Sequence, residues 1–350
     1  MGYQKIYGSE FLAAKRLVGD PVADAFILQV FRDADQKKEL QQWLNRASGN
    51  HELKALAEIF PGLQLIKEAA HLPAWADQKL MKAGSDFFIR HSTTIMSLLG
   101  LMSLPYCYTA ANGARVLYLS ERMRTDATKR LYETAIFVWE AMAPDAFGPT
   151  GKVFTETFKV RLMHAAVRYY TLQSGKWDDS WGVPINQEDM AGTNLSFSLI
   201  VIRGLRLLGF TINQADQVAF IHLWNVIGFL SGLDEDLIPT KPGLAVMLDA
   251  EISRRQFAGS AHGRELTSAL TAHIISVNKG KVKANDILGL MKYLLGKDVA
   301  ATLSIDVPDL PKYKISLLRT TNLIKSFMPQ GNTDLTYQRA YSTFKSQKPL

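Results

Sequence analysis

Residues 152–171 read KVFTETFKVRLMHAAVRYYT, and their apolar side chains recur at the spacing of an α-helix. His164 lies in the middle of this stretch, with Arg161 three positions before it and Arg168 four positions after it. On a helix these three side chains share one face, and two alanines directly after the histidine leave room beside its ring. A flat macrocyclic cofactor needs such a profile of one imidazole, small neighbours and cations for its carboxylates. The more frequent alternative is a buried histidine satisfied by a hydrogen bond, with the arginines paired to acids elsewhere.

The same helical spacing recurs along most of the chain, whereas the alternation typical of strands is almost absent. The weak exception is residues 301–307, for which we predict no sheet. The sequence therefore predicts an all-α protein that forms a single multi-helix domain. The predicted helices cover residues 10–18, 22–46, 53–57, 63–70, 74–88, 94–104, 115–123, 126–142, 152–172, 186–208, 211 or 213 to 231, 242–257, 263–275, 285–295 and 310–328.

Several residues mark where these helices begin and end. Pro105 is expected to end the helix that begins near residue 94, because its ring blocks continuation. Asn186 is typical of an N-cap, and Glu188 and Asp189 follow in the first turn, where the helix dipole favours acidic residues. Gly209 is expected to end that helix.

Composition excludes several classes of protein. Apolar residues make up 47% and charged residues 21%, which is ordinary for a soluble globular protein and argues against disorder. Cys107 is the single cysteine. One thiol excludes an intramolecular disulfide framework, a multi-cysteine zinc site, a cysteine-held iron–sulfur cluster and covalent C-x-x-C-H haem attachment.

The formal charge of +7 is unevenly distributed. Residues 266–350 contain 12 Lys or Arg, five Asp and no Glu, whereas residues 1–265 are neutral with 28 basic and 28 acidic residues. We therefore divide the chain into a helical body, residues 1–265, and a basic helical C-terminal portion, residues 266–350, packed on it. No recognised nucleic-acid-binding motif accompanies the charge, so we expect no nucleic-acid partner.

Within the basic portion, the predicted helix over residues 310–328 places four basic side chains among apolar ones, Lys312, Lys314, Arg319 and Lys325. A basic amphipathic helix can rest on an anionic membrane surface. The alternative is a helix docked on the body with a solvated basic side.

Residues 1–24 have no apolar core after a basic start, so the sequence does not indicate secretion. The longest apolar stretches, residues 95–108 and 218–233, are shorter than the roughly 20 residues that a bilayer span needs. We expect a cytoplasmic protein that is at most peripherally associated with a membrane.

Familiar catalytic motifs are absent from the sequence. It contains no G-x-x-x-x-G-K-[ST] phosphate loop, no G-x-G-x-x-G after a predicted strand, no H-E-x-x-H and no G-x-S-x-G.

The helix before the histidine offers a second polar group. Arg130, Glu133 and Thr134 share one face in RLYETAIFVWEAM. A buried trio of this kind could stabilise bound dioxygen or move a proton. The alternative is an ordinary ion pair within one helix at the surface.

Three further residues are candidates for lining a pocket. His222 lies on a helix that is apolar nearly all round, where it is either a pocket wall or a satisfied core histidine. Thr193 and Ser196 follow Asn186 and either line a pocket or bond to the backbone one turn back.

Five stretches, in this order, resemble one family: SLPYCYTAANGARVL, RLYETAIFV, VRLMHAAVRYY, WGVPINQEDMAGTNLSFS and HLWNVIGFLSGLDEDLIP. The chain over about residues 86–239 resembles the latex-clearing protein, or rubber oxygenase, family and its relative, the oxygenase domain of the fungal mycophenolic-acid pathway. The combination of R-x-x-H-A-x-x-R with G-V-P-I-N at this distance is the most specific part of the match.

The resemblance implies a globin-like helical core around a non-covalent haem b. It implies that His164 is the proximal iron ligand, that Arg161 and Arg168 flank it, and that Arg130 and Thr134 lie on the distal helix near the haem. In rubber oxygenases a lysine between those last two can occupy the distal iron position. Here Glu133 stands at that place, and a carboxylate cannot supply the same neutral amine. The resemblance then leaves this side chain to act as a base or to hold water.

The family chemistry is the oxidative cleavage of an isoprenoid C=C bond by dioxygen, which leaves carbonyl ends. The implied partners are therefore dioxygen and a lipophilic small molecule. Two competing functions remain open. One is a haem-binding sensor or carrier without turnover, and the other is a helical membrane-surface or interaction module without a cofactor, in which Arg161 and Arg168 would pair with acids.

Overall fold

The computed structural model describes residues 7–119, 127–278, 282–326 and 332–346. Over these residues the chain forms helices and no strand beyond an isolated bridge between Ala110 and Phe257, which confirms the predicted all-α fold. Parts of three predicted helices lie outside the described residues, namely the end of the helix over 115–123, the first residue of the helix over 126–142 and the end of the helix over 310–328. The α-helices are α1 (Ser9–Lys15), α2 (Pro21–Phe31), α3 (Ala34–Arg46), α4 (Glu52–Ile59), α5 (Gln64–Ala69), α6 (Gln78–Leu98), α7 (Leu104–Tyr108), α8 (Ala111–Leu119), α9 (Ala127–Ala141), α10 (Val153–Gln173), α11 (Gln187–Phe197), α12 (Leu199–Leu207), α13 (Gln214–Leu230), α14 (Pro242–Gln256), α15 (Ala261–Val277), α16 (Ala284–Leu295), α17 (Lys297–Thr302), α18 (Lys312–Ser326) and α19 (Thr333–Lys345).

The chain does not end its helix before Pro105, and that prediction is wrong. A π-helical segment, Leu99–Ser103, joins α6 directly to α7, and the Leu104 N–H bonds to the Leu99 carbonyl. This wider turn accommodates a residue that has no N–H and whose ring would clash in a regular α-helix. The result is one continuous helical stretch from Gln78 to Tyr108.

Two other predicted helices are divided in the structure. Residues 22–46 form α2 and α3 because Asp33 begins a new helix, its carboxylate accepting the N–H groups of Asp35 and Gln36. Residues 186–208 form α11 and α12, with the break at Ser198. Asn186 caps α11 as predicted, and Gly209 follows α12 with φ +94°.

The helix that contains His164, α10, lies in the interior. It packs against α2, α9 and α13, and α13 packs along α6. Phe158, Leu162 and Ala165 of α10 are buried in a continuous apolar core, where the Phe158 ring meets Trp43 edge to face. Burial of this kind stabilises a helix whose apolar face is covered on several sides.

The charge division of the chain is not a structural boundary. Position 265 lies inside α15, so a division there would cut a continuous helix. The C-terminal portion packs on the body: Tyr337 of α19 donates to the Trp139 carbonyl, and Tyr341 stacks on the Trp139 ring. The apolar core therefore includes residues from both portions of the chain, and the uneven charge does not divide it.

The stretch Gln78–Tyr108 is long and apolar enough, by length and composition, to cross a bilayer. It exceeds the short apolar segment predicted from the sequence because Pro105 does not interrupt it. Half of its most apolar window is buried within the protein, and it packs along α13. A core helix of a soluble protein meets the same criteria.

Candidate functional site

The His164 imidazole lies deep in the protein and lacks a hydrogen-bond partner at Nδ1. That nitrogen is fully covered by protein. The residue as a whole is half-buried, and neither ring nitrogen makes a described hydrogen bond.

Burial lowers the pKa of His164 from 6.5 to about 4, with the positive charge of Arg168 as the next contribution. The imidazole is therefore neutral near pH 7, which is the form that donates a lone pair to a metal. A neutral imidazole of this kind fits the role of a metal ligand.

An ion pair anchors α10 to the start of α2. Arg161 holds the Asp20 carboxylate in two hydrogen bonds, from Nη2 to Oδ1 at 3.0 Å and from Nε to Oδ2. Asp20 also caps α2 by accepting the Ala23 N–H at 3.1 Å. Gly232, with φ +94°, packs against both partners, because a Cβ at this position would overlap Asp20 Oδ2 and lie 3.1 Å from Arg161 Nε. Only a residue without a side chain fits here.

A second ion pair repeats this arrangement two helical turns along α10. Arg168 donates from Nε to Asp24 Oδ1 at 2.7 Å and from Nη1 to the Ile185 carbonyl at 3.1 Å. Gly19 lies against it, since a Cβ there would be 2.8 Å from Arg168 Cδ. Burial raises the pKa of Asp24 despite the neighbouring Arg168.

Gln187 joins the two ion pairs. Its side-chain amide donates to the carbonyls of Gly19 and Gly232, and its Oε1 accepts the Asp234 N–H. Two residues of the G-V-P-I-N-Q stretch therefore contact the ion pairs: Ile185 accepts a hydrogen bond from Arg168, and Gln187 binds the two glycines that pack on the arginines. We call the set Asp20, Asp24, Arg161, Arg168 and Gln187 the polar base.

The two arginines thus have carboxylate partners, which differs from the expected role of free cations for a cofactor. Asp20 and Asp24 balance their charges, and the buried Nη2 of Arg168 is the donor left without a partner. Sequence reasoning missed both aspartates. Asp20-Pro21 is a helix-start signal, but pairing across more than 140 residues leaves no mark in a single sequence. The assignment of Arg161 and Arg168 to a cofactor stays a prediction.

The second predicted group is only partly brought to this site. The positive charge of Arg130 lies close enough to lower the pKa of His164, and it also acts on Tyr108. Arg130 and Thr134 are half-buried on α9, which packs against α10, whereas Glu133 is exposed. The structure therefore places the charge of Arg130 within electrostatic range of His164 and leaves Glu133 exposed.

Thr193 and Ser196 of α11 lie beside Cys107. Both hydroxyls donate to backbone carbonyls one turn back, Asp189 for Thr193 at 2.9 Å and Gly192 for Ser196 at 2.8 Å, and both contact the thiol. Burial raises the pKa of Cys107 to about 11, so the thiol stays protonated near neutral pH and is a poor metal ligand.

Buried charges position α11 itself. The Glu188 carboxylate accepts hydrogen bonds from Arg255 at 2.7 Å and from Arg16 at 3.3 Å. Arg16 also donates to Asp189 at 2.9 Å. Acidic side chains in the first turn were predicted, and the structure adds the two arginines that neutralise them.

His222 does not belong to this group. Its Nε2 accepts the backbone N–H of Asp77 at 2.9 Å, at the start of α6, and its ring packs on Trp75 edge to face. Burial lowers its pKa, in agreement with a neutral acceptor. The described contacts of His222 are structural, because its Nε2 is occupied by the Asp77 N–H, and its assignment as a cofactor residue stays a prediction.

The donor set limits which metal group the site could hold. Among the described residues no three His, Cys, Asp or Glu side chains cluster as metal ligands. A metal held wholly by side chains needs such a cluster, whereas a haem needs one axial imidazole because its macrocycle supplies the other ligands. The unpartnered His164 fits the second case.

Comparisons with known proteins agree on one family. The family described as "ER-bound oxygenase mpaB/B'/Rubber oxygenase, catalytic domain" matches residues 90–319. The rubber oxygenase of Streptomyces sp. (strain K30) is 27% identical over 266 residues, which cover 74% of this chain and 63% of that protein. The chain therefore matches less than two thirds of that relative's length.

A solved structure shows that the fold is shared. Latex clearing protein in the closed state superposes with a TM-score of 0.78 at 22% identity, covering 96% of this chain and 91% of that chain. The family match includes α9, α10 and the G-V-P-I-N-Q stretch, and it spans more than half of the chain. The chain belongs to the family of the mpaB-type and rubber oxygenase catalytic domains.

Proposed function

We propose that this protein is an oxygenase that holds a haem b through His164 and cleaves a C=C bond of a lipophilic, isoprenoid substrate with dioxygen. The observation that supports it most directly is the His164 ring, which is neutral, lies on an interior helix and has no described hydrogen-bond partner at its buried Nδ1. Membership of the family supports the class of reaction.

A bound haem would supply the binding and activation of dioxygen, and the protein supplies position and local field. The chain's own contribution begins with His164, whose imidazole would hold the haem iron. Its low pKa keeps the lone pair free of a proton over the whole neutral range.

The polar base fixes the direction of that ligand. Asp20 and Asp24 hold Arg161 and Arg168, which lie three residues before and four residues after His164 on the same helix face. A helix held at both of these points cannot rotate about its axis without breaking a largely buried ion pair.

Helix α9 contributes a positive charge near His164. Arg130 places a positive charge near His164, where it would stabilise negative charge that develops on an oxygen atom. Half-buried Ile136 and Phe137 of the same helix pack against the apolar core. Glu133 cannot provide the amine ligand of the rubber oxygenases, so the resting state of this protein would differ from theirs.

The test is a turnover assay. Haem-supplemented protein is incubated with a dispersed polyisoprenoid, dioxygen uptake is recorded, and products are examined by mass spectrometry for carbonyl ends. We expect uptake and carbonyl products that His164→Ala abolishes. A haem-loaded protein without uptake on any polyprenyl substrate would instead be a sensor or carrier.

A second candidate function is a helical module without a cofactor. The pairs Arg161–Asp20 and Arg168–Asp24 favour it, because they are the arrangement expected if no cofactor carboxylates needed the arginines. These pairs leave His164 without a partner, which a module of this kind does not explain. Haem binding by the purified protein distinguishes the two.

A further inference from the structure

Helix α18 exposes a row of apolar side chains. Tyr313, Leu317 and Ile324 are 68%, 67% and 61% exposed, and their spacing places them on one face of the helix. The opposite face is attached to the protein, where the buried Asn322 donates to the Leu208 carbonyl at 3.0 Å. Exposed apolar side chains that share a face indicate an interaction surface.

Basic residues border this row on both sides. On the helical wheel Lys312 and Arg319 lie on one flank, and Lys314 and Lys325 lie on the other. Asp286 neutralises Lys314 through two hydrogen bonds of 2.8 Å. Lys312, Arg319 and Lys325 form no ion pair among the described residues and are exposed.

A basic groove adjoins the same helix. It has a volume of about 600 Å³, and Arg206, Lys312 and Arg319 line it together with the hydroxyls of Thr211, Ser316 and Thr320. A neighbouring cavity of about 400 Å³ shares Arg206 and Arg319 with it. No acidic side chain lines either space among the described residues, so an anion is the complementary ligand.

The groove is part of the fold and not a loose surface feature. Gly209 has φ +94°, and a Cβ there would lie 2.6 Å from the Arg319 backbone, so α18 approaches the end of α12 as closely as a glycine permits. Tyr293 donates to the Leu207 carbonyl at 3.0 Å and holds the same end. The cations therefore project from a fixed framework.

We propose that α18 is an interfacial helix that docks this protein on an anionic lipid surface. The row of Tyr313, Leu317 and Ile324 enters the boundary between head groups and acyl chains. The groove and the flanking lysines bind the acidic head groups. A second copy of the chain fits this face poorly, because the apolar rows would bring two sets of basic flanks together. The proposal stands independently of the proposed chemistry.

The experiment is the co-sedimentation of the full-length protein with vesicles. Phosphatidylcholine vesicles are compared with vesicles that also contain phosphatidylserine, at low and at high salt. We expect binding to the anionic vesicles that high salt weakens. Leu317→Ser with Ile324→Ser should weaken the partition coefficient roughly tenfold or more, and Lys312→Gln with Lys325→Gln about tenfold.

Matched controls come from other exposed positions. Leu335→Ser on α19, whose side chain is 52% exposed, and the pair Lys38→Gln with Lys54→Gln should leave binding unchanged. Circular dichroism melting shows that every variant is folded. Equal binding to both vesicle types, an apolar double variant that binds like Leu335→Ser, or a dimer that this double variant dissociates would each overturn the proposal. None of these readouts depends on haem or on oxygenase activity.

Discussion

Arg161 on the helix of His164 forms a bidentate ion pair with Asp20, the residue that caps α2, against which this helix packs. The side chains are 15% and 4% exposed, so the pair is largely withdrawn from water. Because Asp20 is also fixed to the first turn of α2, this contact sets where the histidine helix lies relative to the N-terminal part of the chain.

Asp20→Asn should be strongly destabilising. The substitution keeps an oxygen for the α2 cap but leaves the Arg161 charge buried without a counter-charge. Breaking one side of a buried pair costs about 3–5 kcal/mol. Urea unfolding followed by circular dichroism measures the loss in the free energy of unfolding.

The matched control is the surface pair of Lys82 and Asp86, whose side chains are 71% and 33% exposed. Asp86→Asn should cost less than about 1 kcal/mol. If Asp20→Asn were as mild as Asp86→Asn, the pair would not hold α10 in place.

Gly232→Ala should disturb the same ion pair through packing. The added methyl group requires a left-handed backbone and meets Asp20 and Arg161, so we expect a loss of roughly 2–4 kcal/mol. Gly175→Ala is the control, since it has φ +67° and nothing within 4 Å of the added atom. That control should lose only about 1–2 kcal/mol in a thermal or urea melt. Equal losses for the two variants would show that contact with the ion pair contributes nothing.

His91 should make stability depend on pH. Burial, followed by the charge of Arg90, lowers its pKa from 6.5 to about 4, and its ring packs against Phe87 and Phe210. Between these values the unfolded chain binds a proton that the native state does not. The stabilisation that neutral His91 contributes to the free energy of unfolding is therefore complete above about pH 6.5. It is lost as the pH falls towards 4, to a limit of about 3 kcal/mol.

His91→Leu tests this pH dependence. The difference in unfolding free energy between parent and variant should shrink or change sign as the pH is lowered from 7.5 to 4.5. Phe87→Leu serves as the control, because it removes packing in the same cluster without a titrating group and should cost the same amount at both pH values. A parallel pH dependence in parent and His91→Leu would contradict the assignment.

Cys107 should resist thiol reagents in the native protein. Burial raises its pKa to about 11 from an ordinary value of 9.0, which lowers the thiolate fraction about a hundredfold. A chromogenic disulfide reagent at pH 8 should react slowly with folded protein and completely in urea. Since this is the single cysteine, the signal has one source. Rapid labelling of the folded protein would show that the thiol is accessible.

Local features of the fold were predictable where one residue determines them. Asn186 caps α11 and Gly209 follows α12 because side-chain capping and positive φ depend on the residue itself. Pro105 was mispredicted, since the π-helical segment that accommodates it packs against α12 and α16, which are distant in sequence. Asp33 was overlooked as a cap because the apolar pattern continues through it.

The site could be predicted only in part for the same reason. The position of His164 on an interior helix follows from helical spacing. Its lack of a partner, the pairing of Arg161 with Asp20 and the occupation of His222 by the Asp77 N–H depend on residues distant in sequence. Tyr313 and Leu317 also illustrate this limit, because a periodic apolar pattern does not reveal which face of α18 is docked.

The central claim is that His164 binds a haem, and the absorption spectrum of the purified protein during titration with haem b tests it most directly. The parent and His222→Ala should each give a Soret band that saturates at one haem per chain, because His222 Nε2 already accepts the Asp77 N–H. His164→Ala should lose or shift that band while its far-ultraviolet circular dichroism remains helical. A parent without a Soret band, or a His164→Ala variant with an unchanged one, would contradict the claim.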